Sequence, residues 1–312
     1  MLSVARRRNH HYAQVVAGLD PGLNFTVLKG PSLAASYPPG VLRSQGDIDL
    51  LVPDQAELWR VVRALHSPQP TQVWVTVVGP EHHLLVTLVR PPEEPLLDPE
   101  HRVELLTAAL LGDFGAVPIR SRPPLDRTLA DLVCLAEERL QRPFHPRDAL
   151  DLYVLSARDL PPRDEILRTA VQYRLAPELA ELVRYTAGML PLDRFTAMLP
   201  ALDRAAESEL ALRARHPAMP PAEGIRATLR QGGAVHGISL GPIEGSDAWT
   251  TARLHWYDED EALLLTPVGA YLLVADSVVS RERHAAASAE LDRLVRSGFR
   301  RLHEGDTVRV AP

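Results

Sequence analysis

The run Gly46-Asp47-Ile48-Asp49-Leu50-Leu51-Val52 constrains this chain more than any other. Successive side chains on a strand point to opposite faces, so Asp47 and Asp49 share one face while Ile48 and Leu50 enter the other. Such a strand belongs in a sheet with one buried face and one polar face. Two carboxylates this close repel, and one rises in pKa unless a cation sits between them. A hard divalent ion such as Mg²⁺, bound by carboxylates together with substrate phosphates, resolves the repulsion. Two such ions, roughly 3.5–4 Å apart, would activate an attacking oxygen and stabilise a leaving pyrophosphate. The competing reading is an ordinary strand end with solvated acids.

The residues just upstream favour the metal reading. Lys29 is the one lysine among 34 basic residues, and it stands in Leu28-Lys29-Gly30. Its ammonium is a compact point charge suited to a single phosphate oxygen, unlike the planar fork of arginine. Gly30 lets backbone approach a ligand closely, and a short helix over Pro31–Tyr37 would aim N–H groups at a phosphate. Ser32 near that helix start can donate to a ligand or cap the helix. Arg43 can clamp phosphate oxygens or brace Asp47.

Composition bounds the alternatives. With 312 residues the chain has length for two or three domains, and its net charge of −6 disfavours a general nucleic-acid coat. The single cysteine, Cys134, lies in the apolar run 129–140 and reads as a buried structural thiol. No segment approaches the length of a membrane span. Arg6-Arg7-Arg8 has the charges of a signal n-region, but no apolar h-region follows, so the chain reads as cytoplasmic.

Three regions separate along the chain. Residues 1–122 alternate β-branched runs (Phe25–Leu28, Ile48–Val52, Val73–Val78, Leu84–Val89, Val103–Leu106) with helical spacing at Gln55–Leu65. This predicts an α/β (α+β) unit with a small mixed sheet. Residues 123–215 carry apolar helical stripes with prolines at the joints. Residues 216–312 read as a C-terminal α+β module. It has strand-like Ile225–Leu229 and Ala252–Tyr257, a helix starting at Thr266-Pro267, a helix over Arg281–Arg296 and a closing hairpin from Phe299 to Val310.

At this point a resemblance emerges. Leu28-Lys29-Gly30-Pro31-Ser32, Tyr37-Pro38, Leu42-Arg43 and Asp47-Ile48-Asp49-Leu50-Leu51-Val52 together resemble an uncharacterised nucleotidyltransferase family of the DNA polymerase β-like superfamily. The match is close over residues 25–52 and looser to about residue 155. The resemblance implies a mixed-sheet catalytic domain followed by a helical domain, with Mg²⁺ or Mn²⁺ as cofactor and an NTP as substrate. It implies Asp47, Asp49 and a third carboxylate on a neighbouring strand, a slot that Glu104 fills, as metal-binding and catalytic residues. Lys29, Gly30, Ser32 and Arg43 are then the nucleotide-binding set. The acceptor would be a small molecule, a peptide or a protein. Two departures stand out: Leu106 and Thr107 replace the family's usual His and aromatic after Glu104, and Pro31 offers no N–H to a phosphate. Both favour the alternative, a non-catalytic protein of the same fold that binds a peptide or protein partner.

Other candidates have plainer readings. His82 and His83 would point to opposite faces of a strand, so at most one enters a site. Asp148 suits the first turn of a helix. The acidic run Asp258–Glu261 reads as a solvated turn, and the tail loosely resembles a winged-helix-like module.

Overall fold

In a computed structural model the chain is a mixed α/β protein with a nine-stranded sheet. The structure describes residues 2–66, 72–92, 94, 96, 98–215, 222–275 and 278–299. The expected closing hairpin lies outside the described residues beyond Phe299. Two compact units are present: Met1–Thr26 with Gln45–Ala108 and Met219–Pro312, and Val27–Ser44 with Ala109–Ala218. No helix among the described residues is long and apolar enough to cross a membrane.

Elements are numbered in chain order. The first unit contains α1 (Leu2–Ala17), β2 (Ile48–Leu51), α3 (Gln55–His66), β3 (Gln72–Val78), β4 (His83–Arg90) and β5 (His101–Leu106). Its later part adds α10 (Gly224–Arg230), β6 (Ala234–Gly241), β7 (Arg253–Trp256), β8 (Ala262–Thr266), β9 (Gly269–Val274) and α11 (Arg281–Arg296). The short β1 (Thr26–Val27) falls where the chain passes into the second unit. Sheet order is β1-β2-β5-β4-β3-β6-β9-β8-β7. β2 runs parallel to β5, and the joins from β5 through β4, β3, β6, β9 and β8 to β7 are antiparallel.

The alternation in the strands decides which face is buried. Ile48 and Leu50 on β2, Val103 and Leu105 on β5, Val86 and Leu88 on β4, and Val75 and Val77 on β3 are all buried. α3 contacts β4 and β5, and its Leu58, Val61, Val62 and Leu65 are buried, the stripe its spacing predicts.

α1 is an element that the sequence reading did not assign. It is held by one buried cation. Arg8, 4% exposed, pairs with Asp98 at 2.9 Å and donates to the carbonyls of Gln45 at 3.1 Å, Gly46 at 2.6 Å and Pro99 at 2.6 Å. A buried guanidinium is costly unless paired and fully hydrogen-bonded, and here its fork is filled. Tyr12, one turn on, donates to the Gly46 carbonyl at 2.9 Å and accepts from the Arg102 N–H at 3.1 Å.

Three readings of the tail are corrected. Ile225–Leu229 lies within helix α10, because the Asp260 carboxylate accepts the N–H groups of Ile225 at 2.7 Å and Arg226 at 2.9 Å. That cap comes from 35 residues downstream, beyond any local pattern, and it makes Asp260 more than a solvated turn residue. Gly224 precedes it at φ +83°, and a Cβ there would stand 1.6 Å from Asp260 Oδ2. Thr266-Pro267 starts a hairpin turn between β8 and β9 instead of a helix. The Thr266 hydroxyl donates to the Gly269 carbonyl at 2.8 Å and accepts from the Val268 N–H at 3.2 Å. Proline's fixed φ suits a turn as well as a first helical turn.

The second unit is helical: α2 (Gly30–Ala34), α4 (Arg127–Gln141), α5 (Pro146–Ser156), α6 (Arg163–Gln172), α7 (Ala176–Ala187), α8 (Asp193–Thr196) and α9 (Leu199–Arg213). Cys134 is buried on α4. Asp148 closes a capping box at the start of α5 and takes both guanidinium arms of Arg142 at 2.7 and 3.0 Å, the structural role expected of it.

Replacing Arg8 leaves Asp98 buried without its cation and strips several carbonyls of their donor. Arg8→Met is expected to cost about 3–5 kcal/mol in denaturant unfolding. A loss below about 1 kcal/mol would mean that the cluster is incidental.

Candidate functional site

The predicted site residues divide between the two units. Asp47, Asp49 and Glu104 belong to the first, and Lys29, Gly30, Ser32 and Arg43 to the second.

In the first unit, register builds a row across the sheet. Asp49 pairs with Glu104, Glu104 with Thr87, and Thr87 with Trp74. Registered residues project from one face, with adjacent strands about 4.8 Å apart. Asp49 and Glu104 are therefore neighbours on the face opposite the buried Ile48 and Leu50. Both are half-buried, and Glu104 does not enter the core. Asp47 precedes the strand and is exposed. Its approach to the sheet is set by Gly46, which Arg8 and Tyr12 hold from α1.

Sequence reasoning missed the rest of the row. Trp74 is 46% exposed, and the Arg102 guanidinium lies 5.5 Å from its ring centroid. One step along β3, Thr76 Oγ1 meets His236 Nδ1 on β6 at 3.2 Å. The period-2 pattern of Val73–Val78 already sets Trp74 and Thr76 on the face away from Val73, Val75 and Val77. His83 is buried and 3.1 Å from Glu81, while His82 sits in the preceding turn at φ 54°.

Among the described residues, no three His, Cys, Asp or Glu groups form a set that could hold a metal ion. A closed three-carboxylate cage is thus not preformed from Asp47, Asp49 and Glu104. A pair is a different matter. Mg²⁺ is commonly bound by one or two carboxylates, with phosphate oxygens and water completing its shell. The donor chemistry of Asp49 and Glu104 fits a divalent cation whose remaining ligands are water or phosphate oxygens.

In the second unit each predicted cation or donor meets an acid from α4 or α5. Lys29 pairs with Glu138, and Glu138 also holds Arg142 at 2.8 Å. Ser32 Oγ donates to Asp131 Oδ2 at 2.6 Å, and Arg158 reaches the same oxygen at 3.3 Å. Burial raises the Asp131 carboxyl above its ordinary range. Arg43 is buried, and its fork takes both oxygens of Asp151 at 2.8 Å each, where the Tyr37 hydroxyl also donates at 2.6 Å. Glycine at position 30 answers no steric demand of the fold, since a Cβ there would meet only Arg43 Nη1 at 4.0 Å. The sequence signal for the missed acids was Asp131, Glu137 and Glu138 interrupting the apolar α4.

Compared with known proteins, the chain matches no family model, no curated protein and no solved structure.

Beside Glu138, burial pushes Glu137 up to about 7 while it accepts the Leu111 and Gly112 N–H groups. A carboxyl raised in the folded state stabilises the fold below its unfolded pKa and loses that contribution as pH rises through its folded value. Glu137→Gln keeps an acceptor and removes the charge. It is expected to raise the thermal midpoint by several degrees at pH 8 and to change it little at pH 5. Equal shifts at both pH values would contradict this.

Proposed function

We propose that the chain is a metal-dependent nucleotidyltransferase that moves a nucleoside monophosphate from an NTP to a hydroxyl, phosphate or amine acceptor and releases pyrophosphate. One observation carries the reading: Asp49 and Glu104 stand in register on adjacent parallel strands, on the polar face of the sheet. The sequence resemblance calls for that relation, and no pattern around residue 104 alone requires it.

Mg²⁺ or Mn²⁺, when bound, would neutralise and align the triphosphate. Asp49 and Glu104 would hold it from the sheet, and Asp47 would add a carboxylate from the exposed strand entry. The gain comes from positioning and charge complementarity, which dominate phosphoryl-type transfer. Lys29, Ser32 and the unencumbered backbone of Gly30, all within the second unit, are the residues that the sequence resemblance assigns to nucleotide binding. Arg43, locked on Asp151, serves by fixing the segment that carries these residues.

A second reading has its own observation. Lys29, Ser32 and Arg43 each already engage a carboxylate of their own unit. That arrangement suits a non-catalytic protein of this fold that binds a peptide or protein partner.

Binding of each labelled NTP in Mg²⁺ separates the two. Under the enzyme reading, Asp49→Asn and Glu104→Gln weaken metal-dependent NTP binding at least about tenfold. Lys29→Arg fails nearly as badly as Lys29→Ala, because a planar head cannot replace a point charge. Labelling of the lone lysine by an amine-reactive reagent slows when NTP and Mg²⁺ are added. Wild-type NTP affinity in Asp49→Asn would remove the enzyme reading.

A further inference from the structure

A cavity of about 660 Å³ opens in the first unit, away from the acidic row. Its walls are α1, the end of α3, and the paired residues Arg90 and His101 where β4 ends and β5 begins. The volume falls in the range of small-molecule sites.

The cavity is cationic on one side and apolar on the other. Arg7 and His10 reach it from the exposed face of α1, and Arg90 from β4. The His11 and His101 rings, which line the cavity, stack with centroids 4.1 Å apart. The two lining arginines, Arg7 and Arg90, face two lining acids, Glu94 and Asp98; Arg8 behind Asp98 tips the balance to one positive charge, and the Arg90 guanidinium also donates to the Leu65 carbonyl. Asp98 is neutralised by Arg8 behind the wall, and Glu94 is an exposed side chain 3.5 Å from Arg7. The same potential acts on His11, which is lowered to about 4, first by burial and then by the charges of His101, Arg90 and Arg8. An anion entering here would reverse that bias.

We propose that this cavity binds a small organic anion, its phosphate or carboxylate head against Arg7 and the His11–His101 pair and its apolar body along Val15, Leu19 and Leu65. The site is separate from Asp49 and Glu104, so its occupancy does not depend on whether the chain transfers nucleotides.

Titration calorimetry of the full chain with phenyl phosphate, benzoate and phenol tests this. At least one anion should bind about tenfold or more tightly than phenol, and the tighter of the two identifies the head group. Arg7→Glu, on an exposed helix face where folding is not at stake, and His11→Gln should each weaken that anion at least about tenfold while leaving phenol unchanged. Phenol binding as tightly as both anions, neither anion binding at about 10 mM, or Arg7→Glu retaining full anion affinity would overturn the proposal.

Discussion

The polar face of the first unit depends on a buried guanidinium. Arg8 joins three stretches far apart in sequence: α1, the turn at Gln45-Gly46, and the segment at Asp98–Pro99 that leads into β5. The buried Asp98 carboxylate would lose its cation without Arg8, while the Gly46 carbonyl would keep the Tyr12 hydroxyl. Tyr12 extends the same logic by bridging Gly46 and Arg102. Those two residues lie just before Asp47 and two before Glu104. Arg8 and Tyr12 thus anchor the backbone next to both acids, while the β2–β5 register sets Asp49 beside Glu104.

Electrostatics in the second unit works by pairing. The chain Lys29–Glu138–Arg142–Asp148 and the Arg43–Asp151 fork place each positive group against an acid on α4 or α5. The buried Arg43–Asp151 pair adds little net stability over apolar packing, but removing one partner is expensive. Its effect is to hold the Lys29–Arg43 segment in one arrangement. A triphosphate would have to compete with Glu138 for the lysine. An ammonium kept in place by a half-screened carboxylate is also one that has lost little freedom still to be given up on binding.

Much of the sheet was legible because strand chemistry is local. The runs at 48–52, 73–78, 84–89 and 103–106 carry their alternation in adjacent residues, and the pairing of Asp-x-Asp with a buried apolar face follows from period two alone. The helices of residues 123–215 were legible for the same reason. What escaped was set at long range. α1 reads as polar, with Arg6-Arg7-Arg8 and His10-His11, and nothing local marks Arg8 as the residue that Asp98, 90 positions on, will bury. α10 is capped by Asp260, and the run of leucines before Pro267 turns back as a hairpin because β9 is there to pair with it. At the site, residue types were readable and register was not. Glu104 is reached only through the family resemblance, which implies a third carboxylate on a neighbouring strand; its register with Asp49 is a property of the β2–β5 pairing.

If Asp49 and Glu104 act together on a cation brought by nucleotide, metal binding must depend on both the second strand and the ligand. Titrating Mn²⁺ by electron paramagnetic resonance, with and without a non-hydrolysable NTP analogue, reads this directly. The expected result is weak Mn²⁺ binding to the chain alone and at least about tenfold tighter binding with the analogue over what the analogue retains free in solution. Glu104→Gln should abolish that gain. A gain that survives Glu104→Gln, or none in the wild type, would contradict the account.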